Sequence, residues 1–323
     1  MTTLCRALWL EGENDAALRD SPLPAVADGD LRIESRFGAI SRGTEALVAA
    51  GRVPESEYER MRAPFQEGDF PFPVKYGYAV VGEIVEGPAE RIGETVFCLY
   101  PHQDRFSVPA EAAVPIPAAV PAERAVLAAN METALNIVWD AKIGPGDRVA
   151  VVGGGLVGML VGSLAARIPA CGVTIVDRDG GRAETAAALS CSFAAPGDAP
   201  TECDVVIHAS ASEAGLATAL DCAGFEARLV EASWYGDRSV AVPLGGAFHS
   251  RRLSIVASQV GQLPPERRAR WDYRRRLTAA LDLLADPRLD ILISGETRFS
   301  HLAAAYAGIL SNPATLCHRI RYD

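Results

Sequence analysis

The sequence predicts an α/β chain in two parts: a turn-rich antiparallel β region, then a parallel, doubly wound sheet. Three observations carry this. A short apolar strand in DRVAVVGGGLVG (147–158) runs into Gly153, Gly155 and Gly158, spaced G-x-G-x-x-G, and a small-residue helix follows. Beyond it, apolar strand and helix patterns alternate to about residue 258. The first 117 residues instead hold short apolar runs broken by Pro and Gly, which fits a small barrel or sandwich.

In chain order, strands are predicted at Ala7–Trp9, Leu31–Phe37, Ala79–Val85, Thr95–Leu99 and Arg105–Val108. A long connection, Arg52–Lys75, is rich in charge and Pro, and Glu55–Met61 within it forms a helical turn; its aromatics Tyr58, Phe65, Phe70 and Phe72, with Gln66, either cover a ligand or pack onto the barrel or a partner subunit. Apolar residues at helical spacing make Ala125–Ala141 one buried helix, and the turn 144–147 feeds the strand before Gly153. Helices follow at Leu156–Arg167, Arg182–Leu189 and Glu213–Cys222, and strands at Val173–Val176, Asp204–Ala209, Arg228–Ala232 and Ser254–Ser258. Tyr273–Leu284 is a further helix, and Ile291–Tyr322 reads strand, helix (Leu302–Leu310), strand.

The glycine pattern has a physical use. The first glycine allows a tight turn, the second lets a pyrophosphate approach the backbone, and the third brings helix and strand together. N–H groups at the helix start, Gly155, Leu156, Val157 and Gly158 among them, would hold the phosphates. Asp177 ends the next strand, where a carboxylate accepts ribose hydroxyls and repels a 2′-phosphate. Arg178 beside it pulls toward that phosphate, so NAD is favoured and NADP is the alternative.

Composition narrows the class. The chain has 323 residues, 49% hydrophobic and 22% charged, a balance that suits a globular protein of about two domains. A formal charge of −10 argues against nucleic acid or an anionic membrane as main partner. No apolar run approaches the length of a membrane span, and the start MTTLCRALWLEGEND does not read as a signal peptide, so a cytoplasmic location is expected. Seven dispersed cysteines with no C-x-x-C suggest neither a disulfide framework nor a zinc knuckle.

With these residues in view, the chain resembles the medium-chain dehydrogenase/reductase superfamily, the zinc alcohol dehydrogenase-like group. The resemblance rests on FGAISRGTEA, YGYAVVGEIVEG, FSVPA, IGPGDRVAVVGGGLVG, VTIVDR and LSIVASQVG. It implies a GroES-like β-barrel catalytic domain (1–130, completed by 265–323), a Rossmann coenzyme domain (131–264) and an active site in the cleft between them. It also implies a homodimer formed through the last sheet strand, around Ser254–Val260.

The departures are informative. Zinc-dependent relatives carry C-R-x-D where this chain has Ser41-Arg42-Gly43-Thr44, and G-H-E where it has Gly77-Tyr78-Ala79; the third ligand falls on Ala129. Zinc wants thiolate, imidazole or carboxylate, so a zinc-free protein is expected. The resemblance then leaves Ser41 and Tyr78 to hold a substrate oxygen, and His102, aligned with a pocket-lining position, to relay a proton. Each has a plainer alternative: Tyr78 filling the vacated volume, Ser41 capping a turn, His102 on the surface. Arg42 matches a pyrophosphate contact and Thr133 a nicotinamide contact of relatives; Glu132 either bonds ribose or substrate or lies on a helix surface. The segment Ser233-Trp234-Tyr235-Gly236 could border the adenine or the cleft, and Arg251 and Arg252 either bind an anionic substrate or are solvated.

The expected function is hydride transfer between NAD(H) and an alcohol or ketone, polyol, sugar-like or ring-containing. Two alternatives stand beside it: a zinc-free NADPH-dependent quinone or enone reductase, and a non-catalytic coenzyme-binding protein.

Overall fold

The computed structural model describes residues 4–322. They form two compact units: one up to Ala129 and again from Leu277, the other Asn130–Arg276.

The first unit is built on the strand Asp30–Ile40, which is long enough to pair with three others. It runs antiparallel to Val80–Glu86, Arg105–Pro109 and Cys317–Arg321. Leu31, Ile33, Val80, Ile84, Val96, Phe106 and Val108 point inward and form its core, with Tyr100 stacked 3.8 Å from Phe106. Inward residues alternate with charged ones such as Glu34 and Glu83, the pattern of a sheet with one wet face.

Sequence and structure part company at elements held by neighbours. Leu4–Gly12 exceeds the predicted Ala7–Trp9 and pairs with Asp15–Pro22, a strand that its half-exposed, charged composition concealed. Arg42–Ala49 is a helix, although Arg42-Gly43-Thr44 favours a turn. Tertiary burial wins there: Val48 and Ala49 are fully enclosed, and the helix packs against Leu302–Ser311. The single predicted helix Ala125–Ala141 is two, Ala122–Ala125 and Ala128–Ala141.

The second unit contains six parallel strands, β1 (Arg148–Val152), β2 (Gly172–Val176), β3 (Ser192–Ala194), β4 (Cys203–His208), β5 (Ala223–Glu231) and β6 (Ser254–Ala257). Their order is β3-β2-β1-β4-β5-β6. The chain therefore changes direction between β1 and β4, and ligands of such sheets bind at the carboxyl ends beside that switch. Val149 to Val152 are all buried, as expected of a strand covered on both faces. Helices α1 (Leu156–Ala165), α2 (Ala183–Ala188) and α3 (Glu213–Cys222) complete the alternation.

All seven cysteines are free, and six are buried, where they act as small apolar side chains. Among the described residues no helix is long and apolar enough to cross a membrane.

Candidate functional site

The glycine turn folds as its spacing predicts. Gly153 has φ +115°, and a methyl there would come within 2.7 Å of the Ala209 carbonyl carbon and the Ser210 nitrogen. A side chain at Gly158 would overlap the Gly153 carbonyl oxygen, so the helix can approach the strand only without one. Nothing lies within 4 Å of a Cβ built on Gly155, the residue that caps α1, which leaves that backbone accessible. Leu156 is buried and Val157 half-buried at the first turn.

Asp177 follows β2, as the sequence requires. Its Oδ2 accepts the Gly154 N–H at 2.6 Å and its Oδ1 accepts the Asp179 N–H at 2.9 Å, which ties the carboxylate to the turn. Arg178 is exposed. Open glycine backbone, a helix start and an adjacent carboxylate fit a nicotinamide dinucleotide.

In the first unit, Ser41 and Tyr78 meet. The Tyr78 phenol is hydrogen-bonded with Ser41 and Thr44. Burial, and next the charge of Glu45, push this phenol up to about 12, while the two hydrogen bonds oppose the rise. Tyr78 thus stays protonated at neutral pH and can donate; the lowered value that a base would need is not found. Ser41 occupies the N-cap position of helix Arg42–Ala49, yet its side chain does not cap it.

Beneath this pair lies a carboxylate that the sequence reading did not single out. Glu45 is completely buried. It accepts the Ser41 N–H at 2.7 Å through Oε1, and through Oε2 the Tyr306 O–H at 2.7 Å and the His102 Nε2–H at 2.9 Å. His102 is also fully enclosed, which overturns the surface alternative and places its ring behind Glu45. Its Nδ1 is buried without a hydrogen-bond partner among the described residues. The only sequence signal for Glu45 was its place one helical turn after Ser41 in S-R-G-T-E.

Aromatic rings continue from Tyr78. Tyr76 meets it edge-on at 6.1 Å, Phe70 lies 5.8 Å from Tyr76, and Tyr58 lies 5.7 Å from Phe70. Phe65 packs on Tyr100 at 5.2 Å, and Gln66 is buried with its Oε1 accepting the Ala63 N–H. The connection 52–75 therefore packs onto its own unit.

Zinc does not fit the donor set. Ser41, Tyr78 and Ala129 offer no thiolate, imidazole or carboxylate, and the neighbouring Glu45 and His102 are bonded to each other. Among the described residues no group of three His, Cys, Asp or Glu could hold a metal.

Other candidates resolve differently. Arg42 and Thr133 are half-buried. Glu132 is neither on a helix surface nor open to a ligand: it is buried against Arg276, with Nε to Oε1 at 2.9 Å, and desolvation raises its carboxyl despite that partner. Arg251 bonds Glu202 at 2.6 Å and Arg252 bonds Glu226 at 2.8 Å, so both arginines are committed to acids. Tyr235 donates to Glu231 at 3.2 Å, beside β5.

No protein-family model matches the sequence, and no curated protein matches it either. Solved structures do match in fold. L-idonate 5-dehydrogenase from Escherichia coli K-12 superposes with a TM-score of 0.82 at 14% identity, covering 99% of each chain. 2R,3R-butanediol dehydrogenase from Bacillus subtilis gives 0.79 at 16% identity, over 99% of this chain and 100% of that one. A short chain alcohol dehydrogenase from Escherichia coli CFT073, complexed with NADH, gives 0.76 at 17% identity over 99% of each. The α/β architecture of barrel-type unit and Rossmann unit is thus shared, over the whole chain, with alcohol and polyol dehydrogenases.

Proposed function

We propose that this protein is an NAD(H)-dependent oxidoreductase that interconverts an alcohol and a ketone without zinc. The observation that carries it is the Gly153–Gly158 turn, open at Gly155 and bonded through Gly154 N–H to the Asp177 carboxylate. The fold it shares with dehydrogenases supports the same reading.

When bound, the nicotinamide supplies or accepts a hydride. Gly155, Leu156, Val157 and Gly158 would hold the pyrophosphate at the start of α1, with Arg42 as a further phosphate contact and Thr133 beside the ring. Asp177 would accept the adenosine ribose hydroxyls, which favours NAD over NADP. At the positions where relatives bind zinc, the protonated Tyr78, held by its hydrogen bond with Ser41, or Ser41 itself would donate a hydrogen bond to the substrate oxygen, as a donor does in an oxyanion site. His102 would act through Glu45, holding the carboxylate that fixes the Ser41 backbone. A small-molecule substrate, a homodimer through the edge strand β6 and a cytoplasmic setting belong to the same proposal.

The test is calorimetry with NAD+, NADH and NADP+, followed by turnover on alcohols, ketones and enones after exhaustive chelation. Uptake of NAD(H) with chelator-resistant alcohol or ketone turnover is expected. Activity restored only by added zinc overturns the metal-free mechanism, and turnover confined to enones with NADPH transfers the protein to the reductase class. Ser41→Ala and Tyr78→Phe should each lower kcat/KM by about 10²-fold, the cost of one oxyanion donor, with NAD+ affinity unchanged.

A further inference from the structure

A cleft in the first unit shares no lining residue with the Ser41–Tyr78 pair and carries polar groups that the proposed chemistry leaves unused. Strands Ile293–Arg298 and Cys317–Arg321 run parallel, and helix Leu302–Ser311 lies between them in the chain. Parallel neighbours need such a crossover. Small residues line the gap between helix and strands: Gly295 on the strand side, Ala305 and Gly308 on the helix side. The cleft they leave measures about 330 Å³, near the lower end of the range for small-molecule sites, about 300–1,000 Å³. Gly308 and Asn312 are exposed at its rim, whereas Ile309 and Thr315 are buried.

The polar groups around it are of two kinds. Ser294 is satisfied: its Oγ accepts the Leu316 N–H at 2.9 Å and donates to the Cys317 carbonyl at 3.2 Å. The others are not. Asn312 Oδ1 accepts the Ala314 N–H at 3.0 Å, which leaves its Nδ2 without a partner among the described residues. Thr315 is only 7% exposed, and its hydroxyl makes no hydrogen bond among them either. His318 Nε2 lies 2.8 Å from Thr297 Oγ1, and its Nδ1 has no such partner. A methyl on Gly295 would come within 2.7 Å of that nitrogen, so glycine there keeps the imidazole edge uncovered.

Charge and hydrogen-bonding chemistry define the occupant. No Asp, Glu, Lys or Arg lines the cleft. Burial holds the His318 imidazole below its ordinary value of 6.5, although the Glu296 charge opposes this, so the ring is neutral at pH 7. An anion would find no cation there, and a cation no carboxylate. A hydrocarbon would seal the Thr315 hydroxyl away from water without a partner. A hydroxyl both donates and accepts, so it answers His318 Nδ1 whichever ring nitrogen carries the proton. It answers Thr315 in the same way, and it accepts from Asn312 Nδ2.

We propose that this cleft is a further binding site, which takes a small uncharged polyhydroxy molecule of the polyol class through Asn312, Thr315 and His318. It does not depend on the coenzyme reading. Both of its walls lead to the buried carboxylate. Helix Leu302–Ser311 carries Tyr306, which donates to Glu45, and His318 is the cross-strand partner of Ile40, the residue before Ser41. An occupant therefore touches the elements that hold the Glu45 cluster.

Calorimetry on the full chain without coenzyme, near pH 7, tests the site with sorbitol, gluconate and glucamine as neutral, anionic and cationic probes of similar size. Sorbitol should bind, and the two charged probes should bind at least tenfold more weakly. Gly308→Leu projects a side chain into space where nothing lies within 4 Å of a Cβ, and leucine is the better helix former, so this variant should fold. Sorbitol affinity should fall at least tenfold in Gly308→Leu and about tenfold in Thr315→Val, the loss of one hydrogen bond. Sorbitol should also shift the ring-proton resonances of His318. Wild type that takes up no sorbitol, gluconate bound as tightly as sorbitol, or sorbitol affinity unchanged in both variants overturns the site. Sorbitol uptake abolished by Tyr78→Phe but not by the cleft variants assigns the polyol to the Ser41–Tyr78 pair, which also overturns it. Failure to bind NAD+ bears on the proposed function alone.

Discussion

Replacing Glu45 by Ala removes the acceptor of three buried donors at once: Ser41 N–H, Tyr306 O–H and His102 Nε2–H. Each buried donor left without a partner costs about 1–3 kcal/mol, so together they reach about 3–9 kcal/mol. The cavity left by the side chain adds to this. Total stability of a domain is about 5–15 kcal/mol, so Glu45→Ala should leave the first unit unfolded or barely folded. Tyr306→Phe takes away one donor and keeps the ring, and should cost only about 1–2 kcal/mol, or about 2–8 °C in melting temperature for a domain of this size. Glu45→Gln falls between, because the amide oxygen still accepts and the Tyr306 hydroxyl can turn to accept from the new amide N–H. Thermal and urea unfolding followed by tyrosine fluorescence measure all three. Because the Glu45 charge helps to raise the Tyr78 phenol, an ultraviolet pH titration of the Gln variant should also show Tyr78 ionising below about 12. A Glu45→Ala protein that melts within 2 °C of wild type would refute the claim that this carboxylate holds the cluster together.

Further outcomes concern the parallel-sheet unit. Gly158→Ala places a methyl on the Gly153 carbonyl oxygen, and should cost about 1–3 kcal/mol of stability and at least tenfold in NAD+ affinity by calorimetry. Asp177→Asn keeps an acceptor for one N–H but removes the charge, and should move the NAD+/NADP+ ratio of kcat/KM about tenfold toward NADP+. Glu231 has its carboxyl held below the ordinary value of 4.5, so the stability it contributes is complete above that pH and is lost as pH falls through the lower folded value. Unfolding of wild type and Glu231→Gln at pH 7 and pH 3 should therefore differ more at pH 7.

The legible part of this protein was the part encoded locally. Gly153 and Gly158 announce their turn because a positive φ at the one and a close backbone approach at both admit no side chain there, and Asp177 is placed by strand length alone. Charged, half-exposed Asp15–Pro22 and the glycine-containing helix Arg42–Ala49 were invisible, because their partners rather than their own propensities hold them.

Tertiary structure decided the polar clusters. His102 and Tyr306 stand 57 and 261 positions from Glu45, and no spacing rule connects such distant residues. His208 and Glu231, 23 positions apart, become partners only when β4 and β5 lie side by side in register. A buried carboxylate is tolerable only where donors converge on it, and that convergence is a property of the folded chain. Local sequence thus determined the glycine turn and the acid after β2, while the enclosure of Glu45 and His102 depended on which surfaces the fold brought together.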